Sequence, residues 1–361
     1  MKKNLSLIAG LALLLSGAGH QANACTGIAL NAKDGSRVLA RTVEWAATPI
    51  NCGYAVVPRG HSQVSMTPKG EDGLRFDALY GYVGIYTDYE PFVVEGVNEA
   101  GLSAGLFFFP GFGEQPAFEE ELKARSLCDM QLVSWVLSQF STIDEVKEGL
   151  ANVQVISIDK RMGTVHWRLS EPGGRTVVLE FKGGDPVFYE NPLGVLTNAP
   201  GFDWHMTNLR NYVNLAPGAA ANQTLAEGLE LSPLGGGSAM LGLPGDFTPP
   251  SRFIRAAFFS ASAPQWANGF ESVMQAFHIL NNFDIPIGAQ HKAGQAPAGL
   301  PSATQFTAAT DLASLKFYYR TAWNQNIRCI DLKTIDFRRV KYRTAPLDSQ
   351  KQQPVEYLAI K

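Results

Sequence analysis

Alternating apolar and polar residues near the start of the chain predict a β-hairpin. Residues 25–45 contain two runs with period two, CTGIALNA and RVLARTVEW, on either side of a KDGS turn at 33–36. Asp-Gly between two alternating runs is a strong hairpin signal. The hairpin register brings Arg41 and Glu44 near Cys25, with Arg41 on an apolar face. Because a charge on such a face needs a partner, Arg41 belongs either to a surface ion pair or to a functional site.

The rest of the chain shows both strand and helix periodicity. Strands are predicted for a second hairpin over 91–109 that turns at 98–101, for 164–170 and 176–182, and for the sequence after 280. Helical spacing predicts helices over 127–140, 202–213, 251–261 and 269–280, and the capping-box pattern at 142–145 opens another. This order suits two helical layers around stacked sheets. No linker or composition break divides the sequence, so we predict one domain over 25–361.

The first 24 residues have the composition of a cleavable signal peptide. Lys2 and Lys3 precede a short apolar run over 5–15, and Ala22-Asn23-Ala24 is a small-residue cleavage site. The apolar run is too short to span a bilayer, and no later stretch is long enough. We therefore predict that residues 1–24 are removed and that the rest is periplasmic or secreted, with no membrane span.

Composition and charge exclude several classes of partner. The formal net charge is −3, and no basic run with interleaved aromatic residues is present, so nucleic acid is not an expected partner. Apolar residues make up 45% of the chain and charged residues 17%, as in globular proteins. The Gly/Pro-rich segment 232–252 lacks the Gly-Lys-Ser/Thr ending of a phosphate loop, so nucleotide binding is not expected either.

The four cysteines are too few for a disulfide scaffold. One of them, Cys25, stands directly after the cleavage site. The other three allow at most one bridge, and their spacing leaves its partners open: Cys52, Cys128 and Cys329.

The position of Cys25 has three interpretations. A lipid anchor is disfavoured, because Ala22 replaces the large aliphatic residue typical three positions upstream and strand-like sequence replaces a polar tether. A half-cystine or buried thiol does not explain why the residue becomes the terminus. An N-terminal nucleophile does, because an α-amino group titrates near ~7.7 and supplies the base that a thiol needs.

Such a nucleophile requires no catalytic histidine. The histidines after the signal peptide lie in no Cys/His signature and are interpreted as ordinary partly buried or surface residues: His61, His166, His205, His278 and His291.

Several blocks together resemble the choloylglycine hydrolase family, which includes penicillin V acylases and conjugated bile salt hydrolases. They are CTGIAL, LARTVEW, VEGVNEAGL, VLTNAPGFDWHMTNLRNY, LGLPGDFTPPSRFIRAAF and FHILNNFDIPIG, in the family's order and over essentially the whole mature chain. The resemblance implies an N-terminal nucleophile hydrolase with an α+β, four-layer αββα sandwich. It also implies hydrolysis of a small-molecule amide without a metal or organic cofactor.

The resemblance also implies roles for individual residues. Cys25 matches the nucleophile, and Arg41 matches the arginine beside its thiol. Asn198 matches the asparagine whose side chain donates to the oxyanion, and Arg252 matches a second site arginine. The backbone N–H of Phe108 would complete the oxyanion hole.

Two positions depart from the family pattern. Glu44 stands where the family usually has an aspartate that orients the terminal amine and thiol, so the carboxylate is kept but lies one methylene further out. Phe108 stands where bile salt hydrolases typically have asparagine and penicillin V acylases tyrosine. The residue commonly used to separate the two activities is therefore uninformative here.

Acyl specificity is predicted from aromatic residues and from the blocks that resemble penicillin V acylases. We expect an acyl pocket formed by Trp45, Phe107, Phe109 and Phe112 and a penicillin V acylase-like activity. A bile salt and an N-acyl-homoserine lactone are the alternative substrates. Residues 214–245 resemble the segment that family tetramers use for assembly, which implies a homotetramer.

Overall fold

The computed structural model describes residues 24–158 and 163–360. The predicted signal peptide, residues 1–24, lies outside the described residues except for Ala24. The described helices, numbered along the chain, are α1 (Leu132–Gln139), α2 (Ile143–Leu150), α3 (Phe202–Asn208), α4 (Pro249–Ala261) and α5 (Gly269–Leu280).

The described strands, also numbered along the chain, are β1 (Ala24–Asn31), β2 (Arg37–Glu44), β3 (Cys52–Val57), β4 (Ser62–Val64), β5 (Arg75–Asp77), β6 (Tyr82–Thr87), β7 (Val93–Asn98), β8 (Ser103–Phe108), β9 (Ser126–Cys128), β10 (Gln154–Ile156), β11 (Val165–Ser170), β12 (Thr176–Lys182), β13 (Asp185–Glu190), β14 (Gln223–Ala226), β15 (Leu229–Leu231), β16 (Thr304–Asp311), β17 (Lys316–Thr321), β18 (Arg328–Asp331) and β19 (Arg343–Pro346).

Two antiparallel sheets form the centre of the molecule. The smaller has the order β1-β2-β16-β17-β18, and the larger has the order β13-β12-β11-β8-β7-β6-β3-β19. Strands β1 and β8 contact each other across the sheets, α4 and α5 pack on the smaller sheet, and α1 packs on β7 and β8. The layers are therefore helix, sheet, sheet and helix, which confirms the predicted α+β sandwich.

Both predicted hairpins are present, and their turns have the glycine geometry that the sequence indicated. In the first, Cys25 of β1 pairs with Val43 of β2, and Gly35 adopts a φ of +87° in the turn. In the second, β7 pairs with β8, and Gly101 adopts a φ of +90°. A side chain is strained at such positive φ, so glycine is needed at both turns.

Two predicted helices differ from the structure at their ends. The segment predicted as a helix over 127–140 begins its α-helix only at Leu132, because residues 126–128 form β9 and pair in parallel with β10. The backbone groups of β9 are thereby used for strand pairing. In the segment predicted over 202–213, α3 ends at Asn208 and a 3₁₀ turn follows.

All four cysteines are free thiols, so the single bridge that the spacing allowed does not form.

No helix within residues 24–158 and 163–360 is both long and apolar enough to cross a membrane.

Candidate active site

Cys25 lies buried at the start of β1, with Ala24 still attached and paired to Glu44 of β2. Burial raises the pKa of the Cys25 thiol, and the charge of Glu44 adds to this effect. The Arg41 guanidinium is the strongest influence in the opposite direction, followed by the backbone N–H of Phe108. The thiol therefore holds its proton until a base removes it, but the cations beside it favour the thiolate once it forms.

Arg252 and Asn198 hold the backbone of Cys25. The Cys25 N–H donates to Asn198 Oδ1 at 2.9 Å, and Arg252 Nη1 donates to the Cys25 carbonyl at 2.5 Å. Arg252 Nη2 also donates to Asn198 Oδ1 at 2.7 Å. Arg252 reaches this point from the first turn of α4, which begins with Pro249-Pro250, a sequence suited to a helix start.

The Asn198 side chain lies between Cys25 and Phe108. Its Nδ2 donates to the Phe108 carbonyl at 2.7 Å. An amide nitrogen carries two N–H groups, so the second remains available to a substrate. The backbone N–H of Phe108 lies near the Cys25 sulfur and lowers the pKa of its thiol. Asn198 Nδ2 and the Phe108 N–H are therefore two hydrogen-bond donors near Cys25.

Arg41 is fully buried and belongs to a group that we call the floor: Arg41, Glu95, Phe107 and Arg168. Arg41 Nη1 donates to the Val94 carbonyl at 3.0 Å and to the Leu106 carbonyl at 2.6 Å, and it lies 3.5 Å from Glu95 Oε2. Arg168 Nη2 donates to Glu95 Oε1. The Arg41 guanidinium also lies 4.0 Å above the Phe107 ring.

Glu44 belongs to a second group, which we call the wall: Glu44, Trp45 and Thr304. Glu44 Oε1 accepts a hydrogen bond from Thr304 Oγ1 at 3.2 Å. Glu44 Oε2 is buried and has no partner within residues 24–158 and 163–360. Burial raises the pKa of Glu44 to about 7, although Arg252 opposes the shift. Glu44 thus lines the site one strand position from Cys25.

An apolar cleft opens directly onto Cys25. Its empty volume, open mouth included, is about 1140 Å³. The lining combines the ends of both sheets with two connecting segments: Cys25, Arg41, Val43, Glu44, Trp45, Thr48, Pro49, Ile50, Thr87, Asp88, Phe92, Val94, Leu106, Phe108, Met130 and Val165.

Of the four aromatic residues predicted to bind the acyl group, Trp45 lines the cleft. Phe107, Phe109 and Phe112 do not, which corrects the prediction. Phe108, predicted for the oxyanion hole, also lines the cleft. Alternation along β8 turns Phe107 away from the cleft and beneath Arg41. Phe109 is buried against the ring of His166, 4.2 Å away, and Phe112 packs beside Phe109 at the surface.

The sequence analysis missed several polar residues around the site. Glu95, His166 and Arg168 are charged or polar positions on otherwise apolar strands, which is the signal that marked Arg41. The residues Ile50 and Met130 of the cleft carry no local signal, because the fold brings them in from separate segments. Within the described ranges, no group of three or more His, Cys, Asp or Glu residues is arranged to hold a metal ion.

The sequence of this chain matches a family of known enzymes. The sequence model of the linear amide C–N hydrolases, choloylglycine hydrolase family, matches residues 25–351. The chain belongs to this family. The resemblance seen in the sequence is thereby confirmed, and the protein is a cysteine hydrolase of linear amides with the N-terminal nucleophile hydrolase fold.

Individual relatives agree with this assignment. A bile salt hydrolase/transferase of Clostridium perfringens is 32% identical over 324 residues, which cover 88% of this chain and 95% of that protein. A penicillin V acylase of Pectobacterium atrosepticum is 26% identical and covers 73% of this chain and 68% of that protein. A solved structure of the conjugated bile acid hydrolase from C. perfringens superposes with a TM-score of 0.78 at 29% identity, covering 93% of this chain and all of that one.

Proposed function

We propose that this amide hydrolase acts on conjugated bile salts, cleaving the amide bond between a steroid acyl group and an amino acid. The observation that carries the proposal is the apolar cleft that opens onto the Cys25 thiol. The cleft is lined mainly by apolar side chains and is open to solvent, which suits an amide substrate with a bulky apolar acyl group.

Polar residues in the cleft favour a hydroxylated acyl group. Thr48, Thr87 and Asp88 line the cleft among apolar side chains, and Asp88 is exposed at its mouth. Their oxygens can accept hydrogen bonds from hydroxyl groups on a steroid. The bile salt hydrolases among the relatives support the same substrate class. We therefore rank bile salts ahead of penicillin V, which the sequence analysis preferred, and ahead of an N-acyl-homoserine lactone.

The proposed reaction uses the groups around Cys25. The α-amino group of Cys25 accepts the thiol proton as the sulfur attacks the acyl carbonyl carbon. Asn198 Nδ2 and the Phe108 N–H donate to the oxyanion, and losing one such donor costs about 3–4 kcal/mol. The carbonyl re-forms as the C–N bond breaks, and the amine leaves with the proton from the α-ammonium. Water then hydrolyses the thioester and releases the acid.

This mechanism requires that the residues up to Ala24 are removed, because the nitrogen of Cys25 is otherwise a peptide amide. We propose that a signal peptidase makes this cut and that the enzyme works outside the cytoplasm. Intact mass of the purified enzyme should then correspond to a chain that starts at an unmodified Cys25. A diacylglyceryl group on Cys25 would instead indicate a lipid-anchored binding protein.

Amine release from three substrates tests the proposal. Purified enzyme should turn over glycocholate faster than penicillin V or a long-chain N-acyl-homoserine lactone at matched concentration. The Cys25→Ser variant should keep its fold but lose at least ~10³-fold in kcat, because a hydroxyl is a much weaker nucleophile than a thiolate. Faster turnover of penicillin V or of the lactone would mean that the enzyme prefers an aromatic or linear acyl group to a steroid.

We also propose a homotetramer that assembles through residues 214–245. This segment contains the surface hairpin β14–β15, and five of its seven leucines are exposed: Leu225, Leu229, Leu231, Leu234 and Leu241. Apolar side chains concentrated on one exposed segment are typical of an interaction surface. Light scattering should give four times the chain mass, and a monomeric mass would contradict the proposal.

A further inference from the structure

Two buried histidines bond to consecutive backbone carbonyls beside the active site. His166 Nε2 lies 3.1 Å from the Thr197 carbonyl oxygen, and His205 Nε2 lies 2.9 Å from the Asn198 carbonyl oxygen. A carbonyl oxygen only accepts, so Nε2 carries the hydrogen in both rings. The backbone on which the Asn198 side chain stands is therefore held at two successive peptide groups.

Glu180 fixes the orientation of His166. Its Oε1 lies 3.2 Å from His166 Nδ1 and accepts a hydrogen bond from the Phe202 N–H at 2.8 Å. Because Oε1 is a carboxylate oxygen and Nε2 is already a donor, a proton lies between His166 Nδ1 and Glu180 Oε1. Phe202 begins α3, the helix that carries His205. Glu180 thus connects both histidines.

Aromatic rings fix the planes of the two imidazoles. His166 stacks on Phe109 at 4.2 Å with an interplanar angle of 5°, and His205 stacks on Phe253 at 4.6 Å with an angle of 10°. Burial lowers the pKa of His205 to about 4. His205 is therefore neutral at pH 7 and acts as a fixed hydrogen-bond donor rather than as a titrating base.

We propose that His166, Glu180 and His205 are positioning residues that hold Asn198 in place. Asn198 Oδ1 accepts from the Cys25 N–H and from Arg252, and its Nδ2 lies beside Phe108. Small displacements of such a donor are costly, since an oxyanion hole acts through preorganisation. The inference rests on the oxyanion role proposed for Asn198 and extends it to residues that do not touch the reacting atoms.

Glu180→Gln tests the connection. A neutral His166 has one N–H, so bonding through Nδ1 to the amide oxygen of the substituted side chain would leave a lone pair on Nε2 facing the Thr197 carbonyl. We expect kcat to fall about 10-fold to 100-fold with KM changed less than about 2-fold, because positioning acts on the transition state. Glycocholate and penicillin V both serve as substrates for the measurement.

A double-mutant cycle with Asn198→Ala separates positioning from a general structural role. Asn198→Ala alone should lower kcat by about 10²-fold to 10³-fold. Adding Glu180→Gln to that variant should then cause little further loss, because the residue being positioned is gone. An undiminished, additive loss in kcat would overturn the inference. Wild-type kcat in Asn198→Ala would instead show that the oxyanion role of Asn198 itself is wrong.

His205 provides a second comparison if Glu180→Gln does not fold. His205→Gln can place an N–H where Nε2 donates to the Asn198 carbonyl, whereas His205→Leu fills similar space without a donor. We expect His205→Gln to retain at least about a fifth of wild-type kcat and His205→Leu to lose at least about 10-fold. Equal losses in two variants of equal thermal stability would contradict a positioning role.

Discussion

Two buried glutamates lie close to the nucleophile, and their surroundings differ. In the floor, Glu95 accepts from Arg168 through Oε1, and its Oε2 lies 3.5 Å from Arg41. In the wall, Glu44 has one hydroxyl partner at 3.2 Å and, within the described residues, an unbonded Oε2, and burial raises its pKa to about 7. Both side chains are almost inaccessible to solvent. A carboxylate with a partner on each oxygen, as in Glu95, stabilises the fold. A carboxylate with an unbonded oxygen, as in Glu44, can accept a hydrogen bond or a proton from a reacting group.

The close packing of the floor depends on glycine. A Cβ atom on Gly105 would lie 2.3 Å from Glu95 Oε2, and one on Gly27 would lie 2.8 Å from the Phe107 ring. Both distances are far below van der Waals contact. The ion pair between the sheets, Arg41–Glu95, and the pair within the larger sheet, Arg168–Glu95, therefore require glycine at these points. In the wall, Glu44 and Trp45 line the cleft.

The largest effect on stability is expected from removing Glu95, the anion shared by the two arginines of the floor. Glu95→Ala leaves Arg41 and Arg168 as two buried cations without their shared anion. Removing one partner of a buried ion pair costs about 3–5 kcal/mol, so the free energy of unfolding should fall by that amount. Urea denaturation monitored by tryptophan fluorescence measures it.

A surface ion pair supplies the control for Glu95→Ala. Glu120 lies 3.1 Å from Lys123, and both side chains are exposed. Glu120→Ala should change the free energy of unfolding by less than about 1 kcal/mol. If the two variants lose the same amount, the floor is not a buried ionic network.

Glu44, in the wall, should make the free energy of unfolding depend on pH. Because the pKa of Glu44 rises from 4.5 to about 7 on folding, the folded chain binds more protons than the unfolded chain between these values. Glu44 therefore does not affect stability below pH 4.5, and destabilises the fold increasingly up to pH 7, by about 3 kcal/mol at most. Asp129, whose pKa burial also raises to about 7, adds a slope of the same sign.

Glu44→Gln should remove the contribution of Glu44 and leave that of Asp129. Urea unfolding at pH 5, 6, 7 and 8 should show that the variant is more stable than wild type at pH 8 and similar to it near pH 4.5. The protein for this comparison must retain Ala24, verified by intact mass, because a free α-ammonium would pair with Glu44. A variant that is less stable than wild type at pH 8 would mean that Glu44 is ionised and well paired.

The contrast between floor and wall also explains what the sequence could predict. Arg41 was found because a charge on an apolar strand face needs a partner, and Glu95 and Arg168 carry that same signal. The hairpin that bears Cys25 follows from local periodicity and its Asp-Gly turn. Period two could also have sorted Phe107 from Phe108, because consecutive strand residues face opposite sides.

Other parts of the site depend on tertiary packing that the sequence does not encode locally. By itself, Asn198 is a turn residue before Pro200, and Arg252 is a residue in a helix. Only the resemblance to the family connected them with Cys25. Met130 reaches the cleft through a segment whose helical pattern was overridden by the pairing of β9 with β10. Long-range pairings of this kind decide which segments meet.

The smallest effect should come from Trp45, the aromatic residue of the wall. Trp45 is half-buried, lines the cleft and donates through Nε1 to Thr48 Oγ1 at 3.1 Å. Trp45→Ala should raise KM for the best substrate about 3-fold to 10-fold, because it removes apolar contact with the acyl group. Phe107→Ala, in the floor, should instead cost about 3–5 kcal/mol of stability.

Steady-state kinetics and urea denaturation of both variants test this division. An acyl group that packs on Trp45 loses binding energy in the ground state and the transition state alike, so kcat should change little while KM rises. The rise should be larger for glycocholate than for a short acetyl amide, because the short acyl group does not reach the indole. An equal rise for both substrates would mean that Trp45 shapes the nucleophile's surroundings, and the cleft beside the wall would then lose its role as the acyl pocket.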